Sequence, residues 1–216
     1  MEWLESQKIP IGNWARAFVD WLTDNFFWFF DGLSAVLEAI ILALLWLLQA
    51  PHAFVVIAVI TSLSWVVRRS VGFTVFTALG LLLIVNQGYW VETTETLALV
   101  FAAAVVCMGV GVPLGIAAAR RPWLHRIMEP ILDLMQTIPT FVYLIPALPQ
   151  IMAGLTQTIM LSLSMVVIAA LVGADGLGVP TLRALNSVNI AKGFEVGIAI
   201  VLVAIIFDRM FKRRST

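Results

Sequence analysis

The run from Leu132 to Pro146, Leu-Asp-Leu-Met-Gln-Thr-Ile-Pro-Thr-Phe-Val-Tyr-Leu-Ile-Pro, sets Gln136, Thr137 and Tyr143 among apolar residues and interrupts them with Pro139 and Pro146. Proline leaves the carbonyl four residues earlier without its helical partner. In a membrane that is tolerated where protein or a water-lined cavity satisfies the freed group. Broken helices of this kind line transport pathways; a kinked packing helix is the alternative. A second run, Met160 to Gly178, carries Ser162 and Ser164 among small residues and closes on Ala174-Asp175-Gly176-Leu177-Gly178. Small residues let helices approach closely, so plain packing competes with a pathway role. Glu38 is an acid inside an apolar run, a functional candidate in a membrane by default. It lies only six residues from the start of that run, where reaching the interface is the competing reading. Tyr89 and Trp90 offer aromatic faces that attract a trimethylammonium group, against an ordinary interfacial role.

Bond-making chemistry has little to stand on. No GxxxxGK[ST] loop is present to cradle ATP phosphates, and there is no HExxH, GxSxG or paired-carboxylate constellation. The single cysteine, Cys107, lies in an apolar run and reads as a small buried side chain. His52 and His125 have no metal-type neighbours and read as interfacial. No cofactor and no metal are expected, and the chain does not read as an enzyme.

The elements that must carry these residues follow from composition. The chain has 216 residues, 61% hydrophobic and 12% charged. A soluble domain is about 25% charged, and a fold this size could not hide so much apolar surface from water. With 13 basic and 13 acidic residues the formal charge is zero, which excludes a basic nucleic-acid-binding domain. A polytopic membrane protein remains.

A crossing helix needs about 20 apolar residues. Runs that qualify, or nearly so, are 32–50, 51–67, 71–91, 96–119, 127–145, 150–174 and 194–207. The fifth is the weakest, with Glu129, Asp133, Pro139 and Pro146. The runs are continuous rather than alternating, which favours helices over a barrel. The fold class is therefore an all-α transmembrane bundle of about six or seven spans. Before it, residues 1–31 form an interfacial segment. There Ile11, Trp14, Phe18, Trp21 and Leu22 recur at helical spacing, with Asn13 as candidate N-cap. It lacks the basic start and small-residue cleavage site of a signal peptide. Trp28, Trp46, Trp65, Trp90 and Trp123 lie near run ends, as an aromatic belt requires, although Trp46 and Trp65 could pack instead.

Short-loop arginines set the orientation. Arg68 and Arg69 mark one cytoplasmic loop, and Arg120, Arg121 and Arg126 mark another. The loop 86–92 has no Lys or Arg and belongs outside. Continuing the alternation sends the fifth run outward, the sixth inward and the seventh outward. That strands Arg209, Lys212, Arg213 and Arg214 on the wrong side. Either one candidate between 127 and 174 does not cross, or one crossing is missing.

These second-half motifs resemble one family. The run 132–146, the stretch Leu148-Pro149-Gln150-Ile151-Met152-Ala153-Gly154 through Gly178, and Leu182-Arg183-Ala184-Leu185 are similar to the permease subunit of an ABC importer for quaternary ammonium compounds. Choline, glycine betaine and proline betaine are its substrates, and the likeness is strongest to choline-type permeases. Val112-Pro113-Leu114-Gly115, Arg120-Arg121-Pro122 and the closing Ile206-Phe207-Asp208-Arg209-Met210 extend it over about residues 30 to 212. The resemblance implies N-terminal spans over 32–91 and a permease core over 92–212. It also implies a bacterial inner-membrane location, a homodimer in membrane lipid, a separate cytosolic ATPase and a substrate-binding protein, with no nucleic acid. Gln136, Thr137, Pro139, Tyr143, Pro146, Ser162 and Ser164 are then the pathway candidates. Against the family pattern, Ile145-Pro146-Ala147 runs directly into Leu148-Pro149. The resemblance thus implies that one span and the loop that couples to the ATPase are missing between 146 and 149. The alternative function is a shortened, non-transporting membrane protein derived from such a permease.

Overall fold

The computed structural model describes residues 11–135 and 147–211, and every regular element in them is helical. In chain order these are α1 (Ile11–Asn25), α2 (Phe27–Gln49), α3 (Ala53–Arg68), α4 (Val71–Asn86), α5 (Trp90–Arg120), α6 (Pro122–Met135), α7 (Ala147–Leu171), α8 (Gly178–Asn186) and α9 (Ile190–Phe211). Among them α2, α5, residues 151–171 of α7, and α9 are long and apolar enough to cross a membrane, and α3 and α4 are shorter apolar helices. The chain divides into two compact units, up to Leu42 and from Ala43 onward.

In the first unit α1 is amphipathic, as the spacing predicts, and Asn13 lies within the helix rather than at its N-cap. The Asn25 side chain donates to the Trp21 carbonyl at 2.8 Å at the helix end. Aromatic rings cluster edge to face where α2 starts, with Trp28–Phe29 centroids at 6.1 Å and Phe29–Phe30 at 5.6 Å. The α2 helix starts five residues before the apolar run did, so exposed Glu38 is twelfth of 23 residues, near the middle rather than the rim.

In the second unit α3 and α4 form a hairpin. Arg69 ends α3 in the left-handed region (φ 46°), its N–H bonded to the Trp65 carbonyl. The two helices meet through buried hydroxyls. Thr77 gives its proton to the Phe73 carbonyl at 2.9 Å, so Ser64 donates to Thr77 across the 3.3 Å gap. Such a bond suits helices whose surroundings offer no water.

The unit is built around α9. Its buried residues Val196, Ala199, Val203, Ile206 and Phe207 recur three, four and one apart, and α7 presents Ile159, Leu163 and Val166 at a helical spacing. Gly80 on α4 lets Leu202 of α9 approach to 3.4 Å of where a Cβ would stand. Two contacts fix direction. Tyr89, at the start of α5, donates to Glu195 near the start of α9 at 3.4 Å. Twelve residues further along each helix, Phe101 and Phe207 meet edge to face at 5.3 Å. Equal intervals mean that α5 and α9 run parallel, in register.

Arg68 Nε donates to the Arg209 carbonyl at 2.5 Å, so α3 and α9 end on the same side. At the opposite end Leu177, just after α7, bonds to Thr96 in the second turn of α5. Hence α7 runs antiparallel to α5 and α9. Uninterrupted alternation, which the arginine count showed to fail between 127 and 174, fails here too: Arg209 shares the end of Arg68. The described part of the fifth run lies in α6, and residues 136–146 lie outside the description.

Other expectations also change. Cys107 is exposed, not buried, because it lies beyond the packed half of α5. Trp46 (72% exposed) and Trp65 (45%) face outward, while Trp90 packs on the core.

This topology has a direct check. In a Cys107→Ala background, Asn86→Cys and Ser187→Cys should react with a membrane-impermeant maleimide from one face, and Ser70→Cys only from the other. Labelling of Ser187→Cys from the face that labels Ser70→Cys, with Asn86→Cys on the other, would refute the antiparallel placement of α7.

Candidate functional site

The end of the bundle away from the arginines carries the built polar chemistry. There the chain leaves α7 through Gly173 (φ 96°) and Gly176 (φ 115°), conformations open to glycine, and enters α8. This turn lies against the first turns of α5. A Cβ on Gly176 would stand 2.6 Å from Thr96 Oγ1, and one on Gly178 would stand 2.2 Å from the Val166 carbonyl oxygen. Only hydrogen fits at either position. The Thr96 hydroxyl holds the contact: it donates to the Glu92 carbonyl at 2.8 Å and accepts the Leu177 N–H at 2.8 Å. The Glu95 carboxylate sits beside this turn, facing Asp175 and Glu92.

Around this contact gathers an acidic girdle of Glu92, Glu95, Asp175 and Glu195, with Tyr89 bonded to the last. Glu92 Oε2 and Thr93 Oγ1 are buried without a partner among the described residues. From α2, Gln49 donates to Thr94 at 2.9 Å. Burial first, then the Glu195 charge and hydrogen bond, raise the Tyr89 phenol above its ordinary value. No group of three or more His, Cys, Asp or Glu among the described residues could hold a metal.

The structure separates the candidates that sequence had grouped. Ser162 is half-buried and Ser164 exposed, its hydroxyl bonded back to the Met160 carbonyl at 3.0 Å. Two residues apart on a helix, they point roughly 160° from each other, either side of the stripe through Leu163. Gln136, Thr137, Pro139, Tyr143 and Pro146 lie outside the described residues. Tyr89 is tied to Glu195 rather than left open as a cation platform. Arg68 is bonded at the opposite end, while Arg69, Arg120, Arg121 and Arg126 are exposed. Sequence reasoning missed Thr96, Glu95 and Glu92. The readable signal was the Glu-Thr-Thr-Glu-Thr run from Glu92 to Thr96 at the head of an apolar helix.

Two outcomes follow. Thr96→Val leaves the Leu177 N–H buried without an acceptor and should cost about 1–3 kcal/mol in thermal or denaturant unfolding in detergent, with Thr96→Ser close to wild type. Gly178→Ala should cost at least as much, since the backbone it meets cannot move aside as a side-chain tip can. For Tyr89, the folded state holds its proton above the ordinary tyrosine value of about 10, so stability falls as pH rises beyond that value. With Tyr143→Phe leaving Tyr89 as sole tyrosine, Glu195→Gln should move its ultraviolet titration back toward, but not fully to, the ordinary value. An unchanged titration would show that Glu195 contributes nothing.

No family model matches the chain. Individual proteins do. It is 34% identical to the glycine betaine transport system permease protein OpuAB of Bacillus subtilis, over 94% of this chain and 93% of that protein. It is 34% identical to the glycine betaine/carnitine transport permease protein GbuB of Listeria monocytogenes, over 94% of both. It is 31% identical to the glycine betaine/proline betaine transport system permease protein ProW of Escherichia coli, over 94% of this chain and 74% of that protein. These matches extend over 264, 267 and 263 positions, while the chain has 216 residues. Within each, at least 47 positions of the relative have no counterpart here. With this identity sustained along nearly the whole chain, and with the helical, membrane-spanning architecture described above, the chain belongs to the permease family of betaine transport systems that its motifs resemble.

Proposed function

We propose that this chain is the membrane-spanning permease subunit of an ATP-driven importer for glycine betaine, choline or a related quaternary amine. The observation that carries this is 30–34% identity to betaine-system permease proteins over 94% of the chain. In this reading ATP is hydrolysed on a separate cytosolic ATPase, a substrate-binding protein delivers the cargo, and two permease subunits pair in the bilayer. The chain's own work is alternating access: α5, α7 and α9 form the packed core whose opening and closing would pass the substrate. Gln136, Thr137, Pro139, Tyr143 and Pro146, with Ser162 and Ser164, are the residues proposed to face the pathway. Glu38 remains a candidate intramembrane carboxylate. Residues 92–212 make up the permease core, preceded by the spans of 32–91 and the interfacial segment 1–31.

The missing positions are proposed to lie between 146 and 149. Parity supports this. α5 ends and α7 starts at the arginine-bearing end, so whatever joins them must cross the membrane an even number of times. A crossing through 127–145 paired with one restored span meets that requirement, and the restored loop would return to the side where an ATPase docks.

The test is uptake of labelled glycine betaine and choline by a bacterial strain lacking its own systems, expressing the chain with a betaine-system ATPase and binding protein. ATP-dependent uptake well above the empty strain is expected. Uptake only by a version restored across residue 147 would refute activity of this shorter form. No uptake by either would overturn the permease reading.

A further inference from the structure

We propose that the tip of the α8–α9 hairpin, from Arg183 to Phe194, is the surface on which a substrate-binding protein docks; the assignment rests on the permease reading above. The tip protrudes. The Tyr89–Glu195 bond sets the level at which α5 begins. α9 begins five residues before Glu195, at Ile190, about 7–8 Å further out at 1.5 Å per residue. α8 runs alongside it: buried Ala184 lies 3.8 Å from where a Cβ on Gly193 would stand.

What the tip presents is apolar at its centre and cationic at its rim. Leu185 is 63% exposed, Val188 80%, Ile190 84% and Phe194 70%. Arg183 and Lys192 flank them, both exposed. Neither side chain has an ion-pair or hydrogen-bond partner among the described residues. No Asp or Glu occurs from Gly176 to Phe194.

The turn holds these side chains in fixed places. The Val188 N–H bonds to the Leu185 carbonyl at 3.1 Å and the Asn189 N–H to the Ala184 carbonyl at 2.9 Å. The Ser187 hydroxyl donates to the Arg183 carbonyl at 2.7 Å. The Asn189 side-chain oxygen accepts the Lys192 N–H at 3.1 Å and so caps α9. Val188 itself stands at φ 50°, in the left-handed region. That region suits glycine or asparagine, and a β-branched residue is an outlier there. Its exposed side chain gains little from the rest of the chain to offset the strain. Strain of this kind gathers where a side chain is held for a partner.

Large apolar side chains set among Asn186, Ser187 and Asn189, past the start of α5, mark a protein contact rather than a contact with lipid tails. An apolar centre with a cationic rim fits a partner face with an apolar centre and carboxylates at its edge. The loop 86–92, without Lys or Arg, places this end outside. On that side the permease reading supplies one partner, the protein that delivers the cargo.

The test places the full chain in nanodiscs of phosphatidylglycerol and phosphatidylcholine and measures its affinity for a purified betaine-system binding protein. Wild type should retain that protein. Val188→Ser with Phe194→Ser should cut the affinity about tenfold or more, with circular dichroism identical to wild type. Arg183→Gln with Lys192→Gln should weaken it and flatten its salt dependence. Val105→Ser, exposed toward the far end of α9, should change nothing. Val188→Gly separates docking from folding: release of the left-handed valine should raise the thermal midpoint while the affinity falls. A residue with a structural role alone would move the midpoint and leave the affinity unchanged. A benzophenone probe in place of Phe194 should capture the binding protein. Capture of lipid or of a second copy of this chain instead would overturn the assignment, as would no retention by wild type or an affinity indifferent to the Ser pair. Uptake judges the permease reading separately: ATP-dependent uptake that the Ser pair leaves unchanged would uphold that reading and overturn the docking site.

Discussion

The Thr96 hydroxyl is the hinge point of the folded unit. Its proton goes back to the Glu92 carbonyl and its lone pair takes the Leu177 N–H. One side chain thereby joins the start of α5 to the end of α7 at a place where no water competes. The contact exists because Gly176 and Gly178 lack side chains: added methyls would collide with Thr96 and with the Val166 backbone. In a bilayer, apolar surface alone gives helices little reason to prefer one another over lipid tails, so close approach and shared hydrogen bonds must supply the specificity. The Ser64–Thr77 pair between α3 and α4 and the Gln49–Thr94 pair do the same work.

With three further contacts the Thr96 bond sets the directions of α3, α5, α7 and α9. Thr96 and Tyr89 fix one end, the Arg68–Arg209 bond fixes the other, and the Phe101–Phe207 pair fixes register between them. The C-terminal arginines of α3, α5 and α9 lie toward one end of the unit, and the acids Glu92, Glu95, Asp175 and Glu195 gather at the other. This is the separation that an insertion rule based on Lys and Arg produces.

Much of this was legible. Apolar runs located the long helices within a few residues, because a run's length and continuity are themselves the physical requirement for crossing. The arginine count exposed an inconsistency between 127 and 174 before any coordinates, since parity cannot be evaded. Family motifs identified the second half. What could not be read was which face of each helix meets a neighbour. Cys107 looked buried because its run is apolar, but in lipid an apolar run says nothing about packing. Asn13 looked like a cap, yet it lies within α1. Thr96 was invisible as a bridge because its acceptor role depends on Leu177, 81 residues away. Ser162 and Ser164 looked like a pair through sequence nearness, and the helix turns them apart.

The same physics explains how a chain short of at least 47 aligned positions keeps a folded core. In water, removing a span would uncover apolar surface at about 25 cal/mol per Å². In a bilayer lipid replaces the lost neighbour, and the cost falls mainly on packing contacts and hydrogen bonds. Here those contacts are concentrated in the first half of α5, in α7, the short α8 and α9. The second half of α5, with its open glycines and free arginines, carries none of them. A deletion between 146 and 149 would thus uncover a helix that lipid can cover, while the Thr96 contact and the α9 core stay intact. The contacts that secure the fold lie at the Thr96 end of the unit and along α9, away from the end where α5 stops and α7 starts.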